Sequence, residues 1–143
     1  MTDWHNDPTI RAETNVYRRI RRAEVVWDDS RKRWRPSSVA FQHFELSVAL
    51  EDTLREAARV PADALPVLMA EYPYLVALTA GFVRQHDQLV VRDPDDDEPA
   101  HGLVVGDKMH PGRRRKDFAS AAAWEVEPLE GAPPPGRNRL PDS

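Results

Sequence analysis

The chain has no cysteine. That excludes a disulfide framework, a thiol nucleophile and any zinc site built on thiolates. Glycine is scarce, with six among 143 residues, and the six are scattered singly. Neither Gly-x-Gly-x-x-Gly nor Gly-x-x-x-x-Gly-Lys occurs, so the glycine loops that cradle phosphates are missing. A Gly-x-Ser-x-Gly elbow, which presents a serine on a sharp turn, is missing as well. The longest apolar run, Tyr74 to Val83, is about half of a membrane span. Lysine is rare, because seventeen of the twenty cations are arginine.

What is present points to one folded domain. An apolar fraction of 41% with four tryptophans is enough to bury a core, while 31% charged residues and thirteen prolines imply ragged ends. The start Met1-Thr2-Asp3-Trp4 lacks a signal-peptide pattern, and with the missing cysteines it suggests a reducing bacterial cytoplasm. Seventeen alanines and thirteen prolines accompany the arginines. GC-rich codons favour all three, so the arginine excess alone is no binding signal. The net charge of −4 gives no prior for nucleic acid. Its distribution is uneven, however. Residues 11–35 hold nine cations against four acids, residues 84–110 hold three against seven, and Arg113-Arg114-Arg115-Lys116 adds a basic cluster.

Periodicity predicts the elements. Residues 1–14 read as a polar arm. Val16 to Ile20 alternates as a first strand, Val25 to Trp27 extends or pairs with it, and Asp28-Asp29-Ser30-Arg31 is a turn. From Phe44 to Leu50, period two places Phe44, Leu46, Val48 and Leu50 on a buried face. Glu51-Asp52 open a helix that carries Leu54, Ala57 and Ala58 and stops before Pro61. A second short helix is expected from Pro61 or Ala62 through Leu65, Leu68 and Met69 to Tyr72, with Pro66 in its first turn. The runs Leu75–Leu78, Leu89–Val91 and Leu103–Val105 read as strands. Phe118 to Trp124 reads as a helix, and Trp124 to Glu127 as an edge strand. Beyond Pro128, Pro133-Pro134-Pro135-Gly136 marks a disordered tail over 128–143. The order predicts a single α+β domain over 15–127, with a mostly antiparallel sheet of about five strands and two or three helices.

Candidate site residues begin with Trp34-Arg35-Pro36-Ser37-Ser38, where a guanidinium fork and two hydroxyls open onto a strand. Arg18 and Ser47 on neighbouring strands complete a ligand-binding set with Arg35, Ser37 and Ser38. If the chain is an enzyme, His101 at a strand entrance completes a nucleophilic triad with Ser37, Ser38 or Ser47 and an acid such as Asp93. Asp93-Pro94-Asp95-Asp96-Asp97-Glu98 fails as a calcium loop, because its sixth position is Glu98 and its twelfth is Val104. It reads as a solvated turn. Neither metal nor cofactor is expected. Asp52 to Tyr72 has the length of a helix-turn-helix, but no glycine marks its turn and Pro66 interrupts it, so sequence-specific DNA binding is not expected.

An early strand arginine with a serine on the next strand resembles the scheme of ADP-ribosyltransferase-like domains. That resemblance implies an arginine on dinucleotide phosphates and a serine supporting a nicotinamide pocket. The late acidic motif of that family is not recognisable, and Glu125 and Glu127 are the late acids that stand there. Without a specific catalytic signature, the leading expectation is a binding or accessory module acting through a protein partner or a phosphate-bearing ligand. The alternatives are a small enzyme on a nucleotide or nucleic acid, ADP-ribosyltransferase-like or hydrolytic, and an antitoxin or immunity-type protein.

Overall fold

The computed structural model describes residues 3–64 and 72–129. The rest of the expected second helix, residues 65–71, and all but the first two residues of the expected tail lie outside that range. A six-stranded antiparallel sheet forms the centre, in the order β6-β7-β4-β1-β5-β8. Its strands are β1 (Asn15–Ile20), β4 (Glu45–Leu50), β5 (Tyr74–Thr79), β6 (Leu89–Arg92), β7 (His101–Val105) and β8 (Ala123–Val126). The run Val25–Trp27 does not join it. It forms β2 (Val25–Asp28), which pairs with β3 (Arg33–Pro36) as a separate hairpin. The α+β expectation holds, with one more central strand than expected and a hairpin beside it.

Register sorts the side chains onto two faces. Val16, Arg18, Ile20, Leu46, Val48, Leu50, Val76, Val90 and Val104 share one. That face is covered by three elements: α2 (Ala80–Gln85), α3 (Arg113–Ala121) and the 3-10 turn Ser38–Phe41. Phe41 and Phe118 meet edge to face there, 6.3 Å between centroids. Tyr17, Arg19, Ser47, Ala49, Leu75, Ala77, Val91, His101, Leu103 and Val105 share the opposite face. There, α1 (Glu51–Glu56) inserts Leu54 against Tyr17 and Leu75. Trp4 covers Val91, Leu103 and Val105.

The segment expected as a polar arm is laid around the free edge of β6. Asp7 N donates to Val90 O at 2.9 Å, and Val90 N donates to Asn6 Oδ1 at 3.2 Å. Trp4 lies on one face of the sheet and the fully buried Ile10 on the other, so the chain crosses the edge between them. This pairs groups that a bare edge would offer to other chains. Arg92 fixes the wrap by donating to Asp52 at 2.7 and 3.1 Å and to Thr9 Oγ1 at 3.2 Å.

Four local expectations need correction. Phe44 is not buried: it precedes β4 and is 61% exposed, whereas Leu46 and Leu50 are each 1% exposed. The first helix ends at Glu56, short of Ala57 and Ala58. Ala58 N donates to Arg55 O and Arg59 N to Leu54 O, a Schellman ending with Ala58 at φ 56°. The turn delivers Arg59 to Glu98, which it grips at 2.6 and 2.7 Å. The alanine-rich helix starts earlier, at Arg113, and takes in the basic cluster. Finally, the apolar run Tyr74–Val83 is a strand followed by α2, because Thr79 Oγ1 accepts from Phe82 N and caps a new helix.

Leu46→Ala is expected to cost about 2–5 kcal/mol in denaturant unfolding, since Leu46 lies in the closed core. Ala58→Gly is expected to act in the opposite direction. Glycine adopts the left-handed region without the Cβ clash, so the same titration is expected to show a gain of up to about 1 kcal/mol.

Candidate anion-binding face

The structure disperses most of the residues that sequence reasoning grouped. Ser37 caps the 3-10 turn, its Oγ accepting from Val39 N at 3.3 Å, and Ser38 opens that turn. Both belong to the α3 side of the sheet. His101 pairs with Ala49 and belongs to the opposite side, its Nδ1 within 2.8 Å of Asp93 O and 3.2 Å of Asp93 Oδ2. Ser37 or Ser38 therefore cannot act with His101 in one nucleophilic centre, whereas Ser47 shares the His101 face and Asp93 reaches the ring. Ser47 and Arg18 also point to opposite faces. Glu125 lies on β8 at the sheet edge and is exposed, so the ADP-ribosyltransferase-like grouping is not assembled either.

Arg18 is structural. Its Nε donates to Ala40 O and its Nη1 to Ser47 O, each at 3.1 Å, and burial pushes its pKa below the ordinary value. Beside it lies a cation that the sequence did not reveal. Lys108 is 1% exposed, and its Nζ donates at 3.0 Å to each of the Phe44, Val104 and Gly106 carbonyls. Gly106, at φ 153°, lets the chain turn back at the end of β7 and bring Lys108 under the sheet. Burial first, then the Arg18 charge, pushes the lysine down to about 7. The three carbonyls act against that shift, because they match the three N–H groups of an ammonium.

On the opposite face, Tyr17, Glu51, Leu54, Arg55, Arg59 and Pro61 line a cavity of about 340 Å³. Its polar groups bond one another. Glu51 accepts from Asn15 N, Tyr17 OH and Arg55. Burial and the Glu51 carboxylate push Tyr17 up to about 12. In the acidic loop, Asp95 Oδ1 accepts from Asp97 N and Glu98 N, and Glu98 answers Arg59, as a turn should. Among the described residues no cluster of His, Asp and Glu could hold a metal ion, and no helix is long and apolar enough to cross a membrane.

The cations themselves pick out a different surface. Most described arginines are bonded: Arg59 to Glu98, Arg92 to Asp52, Arg84 to Asn6 and Asp7 O, and Arg114 to Asp87 and Asp107 O. Arg11 and Arg55 have carboxylates, and Arg19 stacks on Tyr72. Lys32, Arg33, Arg35, Arg115 and Lys116 have neither hydrogen bond nor ion pair from their side chains among the described residues. All five lie on the β2–β3 hairpin or on α3, and α3 packs against β3.

The hairpin explains part of this. Val25, Trp27, Trp34 and Pro36 share its inner side, where the two indoles meet edge to face at 5.5 Å and Trp124 Nε1 donates to Trp34 O. Val26, Asp28, Arg33 and Arg35 share the other side. Asp28 stands across the ladder from Arg33, but its carboxylate is committed to the turn. It accepts from Ser30 Oγ at 2.6 Å and from the Ser30 and Arg31 amides, which together with the Arg35 charge hold its pKa low. Asp117 on α3 lies 3.9 Å from both His86 and Arg113. The Nε of Arg35 and that of Arg115 are sealed from solvent with no acceptor. A buried N–H left so costs about 1–3 kcal/mol.

Residues 25–36 and 113–121 thus hold eight cations against three acids, in a chain whose net charge is −4. Of the ligand-binding residues expected from sequence, Arg35 alone keeps an uncommitted side chain here. It lies on a hairpin strand, not in a loop mouth. The chain matches no protein-family model, and neither curated proteins nor solved structures give a match.

The buried lysine makes stability depend on pH. Below about pH 7 the amine is protonated folded and unfolded, and the burial cost is complete. Between about 7 and 10.5 the unfolded chain binds the additional proton, so stability rises with pH by at most about 1.4 kcal/mol per unit. Lys108→Met is expected to remove that rise, measured as denaturant midpoints of both proteins from pH 7 to 9.5.

Proposed function

We propose that this protein is a binding module that recognises a phosphate-bearing polyanion through the β2–β3 hairpin and α3. One observation carries the reading: among the described residues, the cations whose side chains make neither a hydrogen bond nor an ion pair are confined to these two contacting elements. A cation that only solubilises a surface has no reason to gather with four others while the remaining cations are bonded. Arginine supplies most of the charge, and its planar fork suits two oxygens of one phosphate. The acids on these elements hydrogen-bond the hairpin turn and the Trp27 indole or lie near His86 and Arg113, and the cations there still outnumber them. Ser37 and Ser38 lie on one side of the sheet and His101 on the other, and of the serines grouped with His101 in the hydrolytic alternative Ser47 alone shares its face.

Inorganic polyphosphate is the direct probe. Binding by isothermal calorimetry is expected to weaken steeply with salt, and Arg35→Ala is expected to cost about 1.5–3 kcal/mol of affinity, tenfold or more. Arg11→Ala, which removes an exposed cation paired with Glu13, is expected to leave binding unchanged. The melting temperature of Arg35→Ala is expected to stay within a few degrees of the parent, because Asp28, the carboxylate that feels the Arg35 charge, keeps its bonds to Ser30 and the Arg31 amide. Poly-glutamate binding as tightly as polyphosphate would contradict a phosphate ligand.

A further inference from the structure

The cavity at Tyr17 lies on the face of the sheet opposite α3 and takes no part in phosphate binding. Tyr17 and Leu54, each 2% exposed, close its floor. Its rim is apolar and open: Val60 is 58% exposed, and the exposed Ala58 and half-buried Pro61 flank it in sequence. At about 340 Å³ it has the size of a small-ligand pocket, and such pockets are mostly apolar with a few placed polar groups.

Charge decides which molecules fit. Two guanidiniums line the cavity, and each has a carboxylate. Arg59 gives both terminal nitrogens to Glu98, at 2.6 and 2.7 Å, and one of them also to Asp63 O. Arg55 pairs with Glu51 at 3.3 Å and is otherwise open to solvent. Glu51 and Arg55 stand one turn apart on α1, so the cavity carries a short dipole and no uncompensated charge. A net anion meets Glu51 there, and a net cation meets Arg55. An uncharged apolar molecule takes water from the pair and replaces none of its hydrogen bonds. A zwitterion laid antiparallel to the pair satisfies both charges at once.

Ala58 adds an independent sign. Its φ of 56° is strained for any residue with a Cβ, so glycine is the relaxed choice at that position. Strain of this kind gathers at ligand sites, and Ala58 lines the cavity.

We propose that this cavity binds a free α-amino acid with an apolar side chain of about leucine size. Its ammonium meets Glu51, its carboxylate meets Arg55, and its side chain lies against Leu54, Ala58 and Val60.

Methyl-resolved NMR of the full chain titrated with L-leucine tests the proposal. Saturable shifts of the Leu54, Ala58 and Val60 methyls are expected, with a dissociation constant of about 1 mM or tighter. Leucinamide, 4-methylpentanoate and glycine lack in turn the carboxylate, the ammonium and the side chain. Each is expected to bind at least about fivefold more weakly than leucine. Arg55→Ala is expected to weaken leucine by the same factor and to leave polyphosphate affinity unchanged. Its melting temperature is expected to stay within a few degrees of the parent, because Arg55 is exposed and Glu51 keeps its Asn15 and Tyr17 bonds. Ala58→Gly is expected to raise the unfolding midpoint yet weaken leucine about fourfold, the worth of one methyl group. Absence of saturable shifts by about 10 mM leucine overturns the proposal. Leucinamide or 4-methylpentanoate binding as tightly as leucine also overturns it. Either result leaves the phosphate reading to be judged by polyphosphate and Arg35→Ala.

Discussion

A charge taken out of water must meet acceptors in the fold, and much of this structure is arranged by that requirement. Lys108 is inside because the carbonyls of Phe44, Val104 and Gly106 converge on its three N–H groups. Arg18 lies beneath the sheet because the Ala40 and Ser47 carbonyls receive it. Arg92 joins the N-terminal segment, α1 and β6 through Thr9, Asp52 and Asp7. Arg59 fixes the end of α1 to the acidic loop through Glu98. In each case a cation joins segments far apart in the sequence, and for Lys108 and Arg18 removing the partners would leave a buried charge uncompensated.

The same requirement gives meaning to the exceptions. Where the fold makes use of a cation, it supplies a carbonyl or carboxylate. On the hairpin and α3 it supplies none to Lys32, Arg33, Arg35, Arg115 or Lys116, although Asp28 and Asp117 are close enough in sequence to do so. The acids are engaged elsewhere and the cations are left over. A ligand bringing oxyanions would complete there what carbonyls complete for Lys108. The proposed phosphate-binding surface follows from that comparison.

Much of the fold was legible as pattern. Period two marked β1 and β4, since one inward face must be apolar, short apolar runs bounded by turn residues marked β5, β6 and β7, and Asp28-Asp29-Ser30-Arg31 was recognisable as a turn by composition. The misses have physical causes. Phe44 continues the alternation of β4 but lies beyond its last ladder position, where Gly106 and Lys108 hold the chain by its carbonyl. α2 was hidden because strand and helix are both apolar, and Thr79 was the one signal of a cap. Four consecutive cations read as a surface cluster, yet they form the first turn of α3. Of the candidate site, Arg35 was legible as a free fork. Ser37, Ser38 and His101 were grouped by residue type, which carries no information about the face of a sheet. Pairing register decides that, and it is a long-range property. Which cations are left unbonded is likewise visible only once the contacts exist.

The central claim is that the cations without internal partners are the ones that meet the ligand. Arginine side chains can be read individually from their Nε–H resonances in 15N-labelled protein titrated with polyphosphate. The account predicts large, salt-sensitive shifts for Arg33, Arg35 and Arg115, while Arg59 and Arg92, already bound to Glu98 and Asp52, stay in place. Shifts centred on Arg55 and Arg59 beside the Tyr17 cavity, with Arg33, Arg35 and Arg115 unmoved, would contradict it.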